Sequence, residues 1–342
     1  MIPADFQRRL IENIQPIRYF VLAQALHHAM DRGVLTAIEE SPGSSEGALA
    51  DRLGLDSERL LALLHFLQNE GYVVAEQGWR LTAKGAGVRP FAPWYEMLVG
   101  GYAPAFVELG DVLADGARYA TRDGARVGSG SCGVGAWDTL PLVEKLLAAS
   151  DRDLSLIVDL GCGDAAFLIN IMERHPGLAG IGLEPNEASA ARGISLGRQA
   201  GVGGRLTVHT GTAADVARLA LPSGGRGTVF LTAFVLQEML EQDGEDAVGK
   251  LLRTTFDSYP DALWMVAEMD YQPASPVMVH GLAMAFYNPY YLIHAITQQR
   301  LLTNEQWREL FSRAGLRCLS VAYPDDRVDS TGLQVGYLLA RS

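Results

Sequence analysis

Cysteine is scarce. The three residues Cys132, Cys162 and Cys318 in 342 positions form neither a CxxC pair nor a disulfide framework, so a reducing, cytoplasmic setting is expected. Long apolar runs are missing too. No stretch of about 18 apolar residues is present to span a bilayer, and MIPADFQRRLIENIQPIRYF lacks the basic-then-apolar layout of a secretion signal. Positive charge is in deficit, with 28 Lys and Arg against 40 Asp and Glu and a net charge of −12. That balance argues against nucleic acid as the main partner, because phosphate binding needs a basic surface. There is no internal repeat and no low-complexity tract. What is there is 48% hydrophobic, enough chain for two or three domains with cores of their own and for a protein acting on a small molecule.

Residues 16–40 carry apolar residues at helical spacing, interrupted near Gly33. Ala48–Leu53 reads as a short helix stopped by Gly54. Asp56 or Ser57 caps a second helix over Glu58–Glu70, stopped by Gly71, and Tyr72–Ala75 and Trp79–Thr82 alternate as strands around Gln77-Gly78. Helix, turn, helix and a two-stranded wing make a winged-helix-like unit. Its second helix offers one Arg and no Lys to a major groove, so dimerisation and capping of a substrate fit it better than DNA reading. A domain is therefore expected over residues 1–90, with a helical connector or lid over 91–150. Within the connector, RVGSGSCGVGAWDTL reads as a loop and 140–150 as an amphipathic helix.

From residue 151 to 342, short apolar runs alternate with helical stretches: 156–160, 179–184, 205–210, 228–235, 262–269 and 333–340 read as strands. The alternation predicts an α/β fold with a parallel, doubly wound Rossmann-like sheet behind the N-terminal helical domain. In SLIVDLGCGDAAFLINIMERHPGLAGIGLEPN, residues 155–186, a buried strand ends at Asp159. Gly161 and Gly163 then let the backbone approach a ligand, and a helix starts near Ala165. A second strand ends in Glu184, about 20 residues past the glycines, where an acid grips ribose hydroxyls. The third glycine of the dinucleotide fingerprint is absent.

VDLGCGDAAFL resembles the first motif of class I S-adenosylmethionine-dependent methyltransferases. The resemblance implies that Asp159, Gly161 and Gly163 hold the methionine part of the donor and Glu184 the ribose, with Gly211, Thr212 and Ala213 toward adenine and Cys162, Pro185 and Phe234 also at the cofactor. In HTGTAADV the acid expected after the third strand is delayed to Asp215, and Thr212 stands in its place.

Small-molecule O-methyltransferases of this layout carry a His base after the fourth strand; FVLQEMLEQDGEDAV has Gln237-Glu238 there. Residues 228–318 resemble instead the C-methyltransferases that act on the β-carbon of α-keto acids such as phenylpyruvate and 2-ketoarginine. That resemblance implies a divalent metal, zinc or iron, held by Gln237, Glu238 and His294 and stabilising an enolate. A buried core histidine and a loop acid are the plainer alternative for His294 and Glu238. Asp270, with Glu96 and Glu268, is a candidate partner for a cationic substrate tail; Trp94, Tyr95, Tyr102, Tyr287, Tyr290 and Tyr291 are candidate walls. Catalytic roles are thus expected for Glu238, His294 and Asp270 in a homodimeric enzyme. Two other readings stay open: an O- or N-methyltransferase without metal, including one for a guanidino nitrogen, and a ligand-sensing winged-helix regulator.

Overall fold

The computed structural model describes residues 2–221 and 223–342. The chain forms two compact units. One holds Met1–Ala103 and Asp123–Ser131, the other Pro104–Arg122 and Cys132–Ser342, so residues 91–150 are shared between both.

In the first unit, helices Phe6–Asp31 and Val34–Glu40 meet at Gly33, whose left-handed φ of 72° breaks the run. Helix Glu46–Leu53 is capped by Ser45 and helix Ser57–Asn69 by Asp56, whose side chain accepts the Arg59 N–H. Strands β1 (Val73–Ala75) and β2 (Trp79–Leu81) pair antiparallel, and Leu26, Leu35, Ile38, Leu49, Leu64, Leu67 and Trp79 fill the core. The longest helix leaves Phe6, Leu10, Ile14, Ile17 and Val21 exposed at spacings of three and four, one apolar stripe along its side.

The Gly- and Ser-rich stretch expected to be a loop is a helix, Gly124–Gly135. Its small residues serve close packing. A Cβ on Gly130 would lie 2.5 Å from the Met97 N, and one on Gly101 would lie 2.7 Å from the Val127 Cγ2. Backbone-to-backbone proximity of this kind is open only to glycine, so glycines that weaken a helix by propensity are what lets this one dock.

The second unit carries a seven-stranded sheet: β3 (Leu156–Leu160), β4 (Ala179–Glu184), β5 (Leu206–Thr210), β6 (Thr228–Ala233), β7 (Leu263–Met269), β8 (Leu316–Ala322) and β9 (Gln334–Arg341), in the order β5-β4-β3-β6-β7-β9-β8. β3 to β7 are parallel. The parallel, doubly wound core is as expected, and β9 closes it by running antiparallel to both β7 and β8. β8 was not expected from the sequence: LRCLSVA is a half-exposed edge strand with a bulge between Cys318 and Ser320, so its apolar signal is diluted. Alternate residues feed a core on each face, Ile157, Leu168, Ile171, Val229 and Met265 on one, Val158, Phe230, Trp264, Trp307 and Tyr337 on the other. The order reverses between β3 and β6, so a crevice opens at the carboxyl ends of these strands.

Replacing Gly130 by Ala separates packing from propensity. Helix propensity alone favours Ala by about 1 kcal/mol, whereas overpacking costs about 1–3 kcal/mol. The contact is with backbone, so Gly130→Ala is expected to lower the melting temperature; a rise, read by calorimetry, would show that the glycine is not there for packing.

Candidate active site

The turn after β3 is built from three left-handed residues, Gly161 (φ 79°), Gly163 (φ 57°) and Ala165 (φ 57°). The Gly161 and Cys162 N–H groups both donate to the Leu183 carbonyl, at 2.8 and 3.1 Å. A Cβ on Gly161 would sit 2.8 Å from the Val235 Cγ2, while Gly163 faces open space. Cys162 is buried against β4, where a Cβ on Gly182 would meet its Sγ at 2.5 Å. Burial pushes the Cys162 thiol far above its usual range; it packs as a small apolar residue.

Glu184 ties the turn to β4. Its Oε2 accepts the Gly163 N–H at 3.0 Å and its Oε1 accepts that of Asn186, just past Pro185, at 2.9 Å. Carboxylate oxygens have further lone pairs, so both can still accept from a sugar. Asp159 is buried below the turn. Burial first, and the charge of Glu184 second, push its carboxyl up to about 7. Gly211 donates to the Glu184 carbonyl at 3.0 Å. Asp215 folds back on Thr212, accepting its N–H and hydroxyl at 3.0 Å each, and takes Arg218 at 2.9 Å. The Thr212 hydroxyl therefore donates locally, and Ala213 begins the short 3₁₀ turn that follows.

At the end of β6, Phe234 is held at φ 59°, a strained setting for a bulky residue, with its N–H on the Ala267 carbonyl. Next comes helix Leu236–Gln242. Glu268, wholly buried in β7, accepts the Leu236 and Gln237 N–H groups through Oε1, at 3.0 and 3.4 Å. Burial raises its carboxyl well above the usual range.

Gln237 is buried and its Nε2 donates to the Tyr290 hydroxyl at 3.2 Å. His294 stacks on Tyr290, ring centroids 3.6 Å apart, and its Nδ1 lies 2.8 Å from the Tyr290 carbonyl. A carbonyl only accepts, so Nδ1 carries the proton and Nε2 the lone pair. Burial, with Arg122 adding to it, pushes His294 down to about 3 and keeps the ring neutral. Glu238 Oε1 accepts from Arg122 Nη2 at 2.7 Å and from Gln299 Nε2 at 3.0 Å.

This donor set does not fit a divalent cation. A guanidinium already lies on the Glu238 carboxylate and bears on His294, and a second cation there would meet its repulsion. Among the described residues no group of three or more His, Cys, Asp and Glu is arranged to hold a metal. The metal expected on Gln237, Glu238 and His294 is thus unsupported. Asp270 accepts the Asn304 N–H at 2.7 Å and Gln272 Nε2 at 3.1 Å through Oδ1, at the start of helix Asn304–Arg313. Glu96 pairs with Arg126 at 3.0 Å in the first unit. Sequence reading missed Arg122 and Gln299, which lie in stretches without a motif.

Fold and turn together define a class I S-adenosylmethionine-dependent methyltransferase. No family model matches the chain. It is 43% identical, over 98% of its length and 97% of the relative's, to the 2-ketoarginine methyltransferase of Streptomyces arginensis, and it belongs to that family. Solved structures share the fold. They include the mitomycin 7-O-methyltransferase MmcR (TM-score 0.68, 19% identity, 98% of each chain). Human N-acetylserotonin methyltransferase with S-adenosylmethionine is another (TM-score 0.70, 16% identity, all of both chains).

Asp159 gives a pH test. A carboxyl raised in the folded state stabilises fully below its ordinary range, and that contribution is lost as pH rises to about 7. A sulfonium donor favours the ionised form, so binding below pH 7 releases a proton. The donor's Kd is expected to fall by up to about tenfold per pH unit approaching pH 7 and then level off. In Asp159→Asn the slope disappears. An equal slope in wild type and variant, by calorimetry, would remove Asp159 from the donor site.

Proposed function

We propose that this methyltransferase places the methyl group of S-adenosylmethionine on C3 of an α-keto acid, with 2-ketoarginine as the leading acceptor. The full-length kinship to a 2-ketoarginine methyltransferase carries the reading. The buried amide of Gln237 agrees with it, because an amide takes no proton at neutral pH and cannot serve as the base for a hydroxyl. The donor lies on Asp159, Gly161, Cys162 and Gly163, with Glu184 and Pro185 at its ribose and Gly211, Thr212, Ala213 and Phe234 toward adenine.

In this reading Arg122, steadied by Glu238, whose carboxylate Gln299 also holds, meets the acceptor's carboxylate and C2 oxygen and stabilises the enolate charge. His294 takes the C3 proton at Nε2. Its proton affinity rises when an anionic acceptor enters beside it. The enolate π pair then forms the C3–methyl bond as the S–methyl pair returns to sulfur, leaving S-adenosylhomocysteine and the C3-methylated keto acid.

Incubation with S-adenosylmethionine and a panel of α-keto acids, phenols and free arginine, read by mass, should give a product one methyl group heavier from the keto acids alone. Methylation of arginine or a phenol instead would overturn the acceptor. Arg122→Gln is expected to lower kcat/KM by about 10²–10³, and dialysis against a chelator to leave the rate unaltered. Loss on chelation with recovery on zinc or iron would return the enolate charge to a metal.

We also propose a homodimer through the apolar stripe Phe6, Leu10, Ile14 and Ile17, which water contacts in the single chain. Light scattering should give twice the chain mass, and Ile14→Glu half of that; a monomeric wild type would refute it.

A further inference from the structure

Helix Asn288–Ile296 and the residue before it present Tyr287, Tyr290, Tyr291 and His294 at positions i, i+3, i+4 and i+7, one buried stripe. At its far end His294 neighbours Arg122. At its near end lies a cluster of opposite character. The Tyr287 hydroxyl donates to Asp329 Oδ2, and Asp329 Oδ1 takes the Thr331 N–H and hydroxyl at 2.8 and 2.6 Å. Asp138 is within electrostatic reach of both Asp329 and Tyr287 and holds the Thr139 N–H and hydroxyl. Both carboxylates are buried, and among the described residues no salt bridge reaches either. Burial, then the charge of Asp329, push Asp138 up to about 6.

A second observation points to what is missing. Gln334, wholly buried at the start of β9, donates through Nε2 to the Thr139 hydroxyl at 2.7 Å, and that hydroxyl donates in turn to Asp138. The Gln334 Oε1 is buried without a hydrogen-bond partner among the described residues. An orphaned acceptor on an amide joined through one hydroxyl to Asp138, a buried carboxylate itself within electrostatic reach of Asp329, calls for a donor that is also a cation. A guanidinium meets both demands with a planar fork of N–H groups.

We propose that Asp138, Asp329 and the Gln334 carbonyl form the subsite for the guanidinium tail of the acceptor. The proposal rests on the α-keto acid reading above and deepens it. His294 lies seven positions after Tyr287, roughly 10 Å at about 1.5 Å per residue, of the order of an extended arginine side chain with its carboxyl group. The stripe thus has a cationic pole at Arg122 for the keto acid head, a tyrosine floor for the methylenes, and an anionic pole for the tail.

The test compares 5-guanidino-2-oxopentanoate with its uncharged urea analogue, 5-carbamoylamino-2-oxopentanoate, in the full-length enzyme. Wild type is expected to favour the guanidino acceptor in kcat/KM by about tenfold or more. In Asp329→Asn and Asp138→Asn the guanidino acceptor should lose at least about tenfold more than the urea analogue, through KM, with Asp329→Glu recovering part. No preference in wild type, or equal losses for both acceptors, would overturn the subsite while leaving α-keto acid methylation standing. If one variant fails to fold by thermal melt, the wild-type ratio and the other variant decide. If no α-keto acid is methylated, the acceptor reading falls. Calorimetry with 5-guanidinopentanoate in the presence of S-adenosylhomocysteine then judges the subsite alone: binding weakened about tenfold by Asp329→Asn sustains it, and no binding, or equal binding to both proteins, overturns it.

Discussion

Carboxylates buried along the carboxyl edge of a parallel sheet must each be met by something, and the rest of this site follows from how they are met. Ionised and alone, such a group loses more hydration than packing returns. Glu184 is satisfied by two backbone amides, which fixes the turn after β3 against β4. Glu268 is satisfied on one oxygen by the first amides of helix Leu236–Gln242, which fixes where Gln237 and Glu238 begin. Burial still raises the Glu268 carboxyl well above its usual range, and burial with the charge of Glu184 raises that of Asp159 to about 7. Burial thus disfavours the charged form of both Asp159 and Glu268, and backbone amides offset only part of that cost at Glu268.

The same logic separates the legible parts of the chain from the illegible ones. The residues proposed to hold the donor are written in one contiguous stretch: Asp159, the two glycines and Glu184 lie within 26 residues, and the strand–turn–helix–strand pattern around them sets their geometry locally. The acceptor end is assembled from residues between 122 and 334 that meet only through the fold. Arg122 sits in a segment with no motif, and its pairing with Glu238 across 116 positions is invisible to spacing. Helix Gly124–Gly135 was hidden for a different reason. Its glycines spell a loop by propensity, and only the partner backbone at Met97 shows why they are tolerated in a helix. Strand β8 was missed because an edge strand is wetted on one side and loses the apolar run that marks a buried one.

The exchange of a metal for a guanidinium at Glu238 is the largest difference between what the resemblance implied and what the side chains do. Both supply positive charge to a developing enolate, but they differ in what they demand. A divalent ion requires two or three deprotonated ligands converging on one point. Arg122 needs only a carboxylate to hold it, which Glu238 provides while the Gln299 amide donates to the same carboxylate oxygen. A guanidinium also leaves Gln237 free of any ligand role, and its amide is instead bonded to Tyr290. His294, kept neutral by burial and by the adjacent cation, then retains a lone pair at every physiological pH.

A site with Arg122 at one end and Asp138 and Asp329 at the other is dipolar, and a dipolar site selects by matching charge order as well as length. An acceptor bound backwards would set carboxylate against carboxylate and guanidinium against guanidinium. Like-charge contacts in a low-dielectric interior are penalised steeply, so orientation is fixed before any contact near the reacting carbon is made. This matters for carbon methylation, because an enolate is nucleophilic at both C3 and the C2 oxygen and a small shift would present the oxygen to the donor. The tyrosine stripe contributes rigidity to the same end: Tyr287 is tied to Asp329 in the loop before β9, Tyr290 to Gln237 in helix Leu236–Gln242 and Tyr291 to the Asp270 carbonyl just past β7. Rings tied at three separate points hold the stripe straight between the two poles.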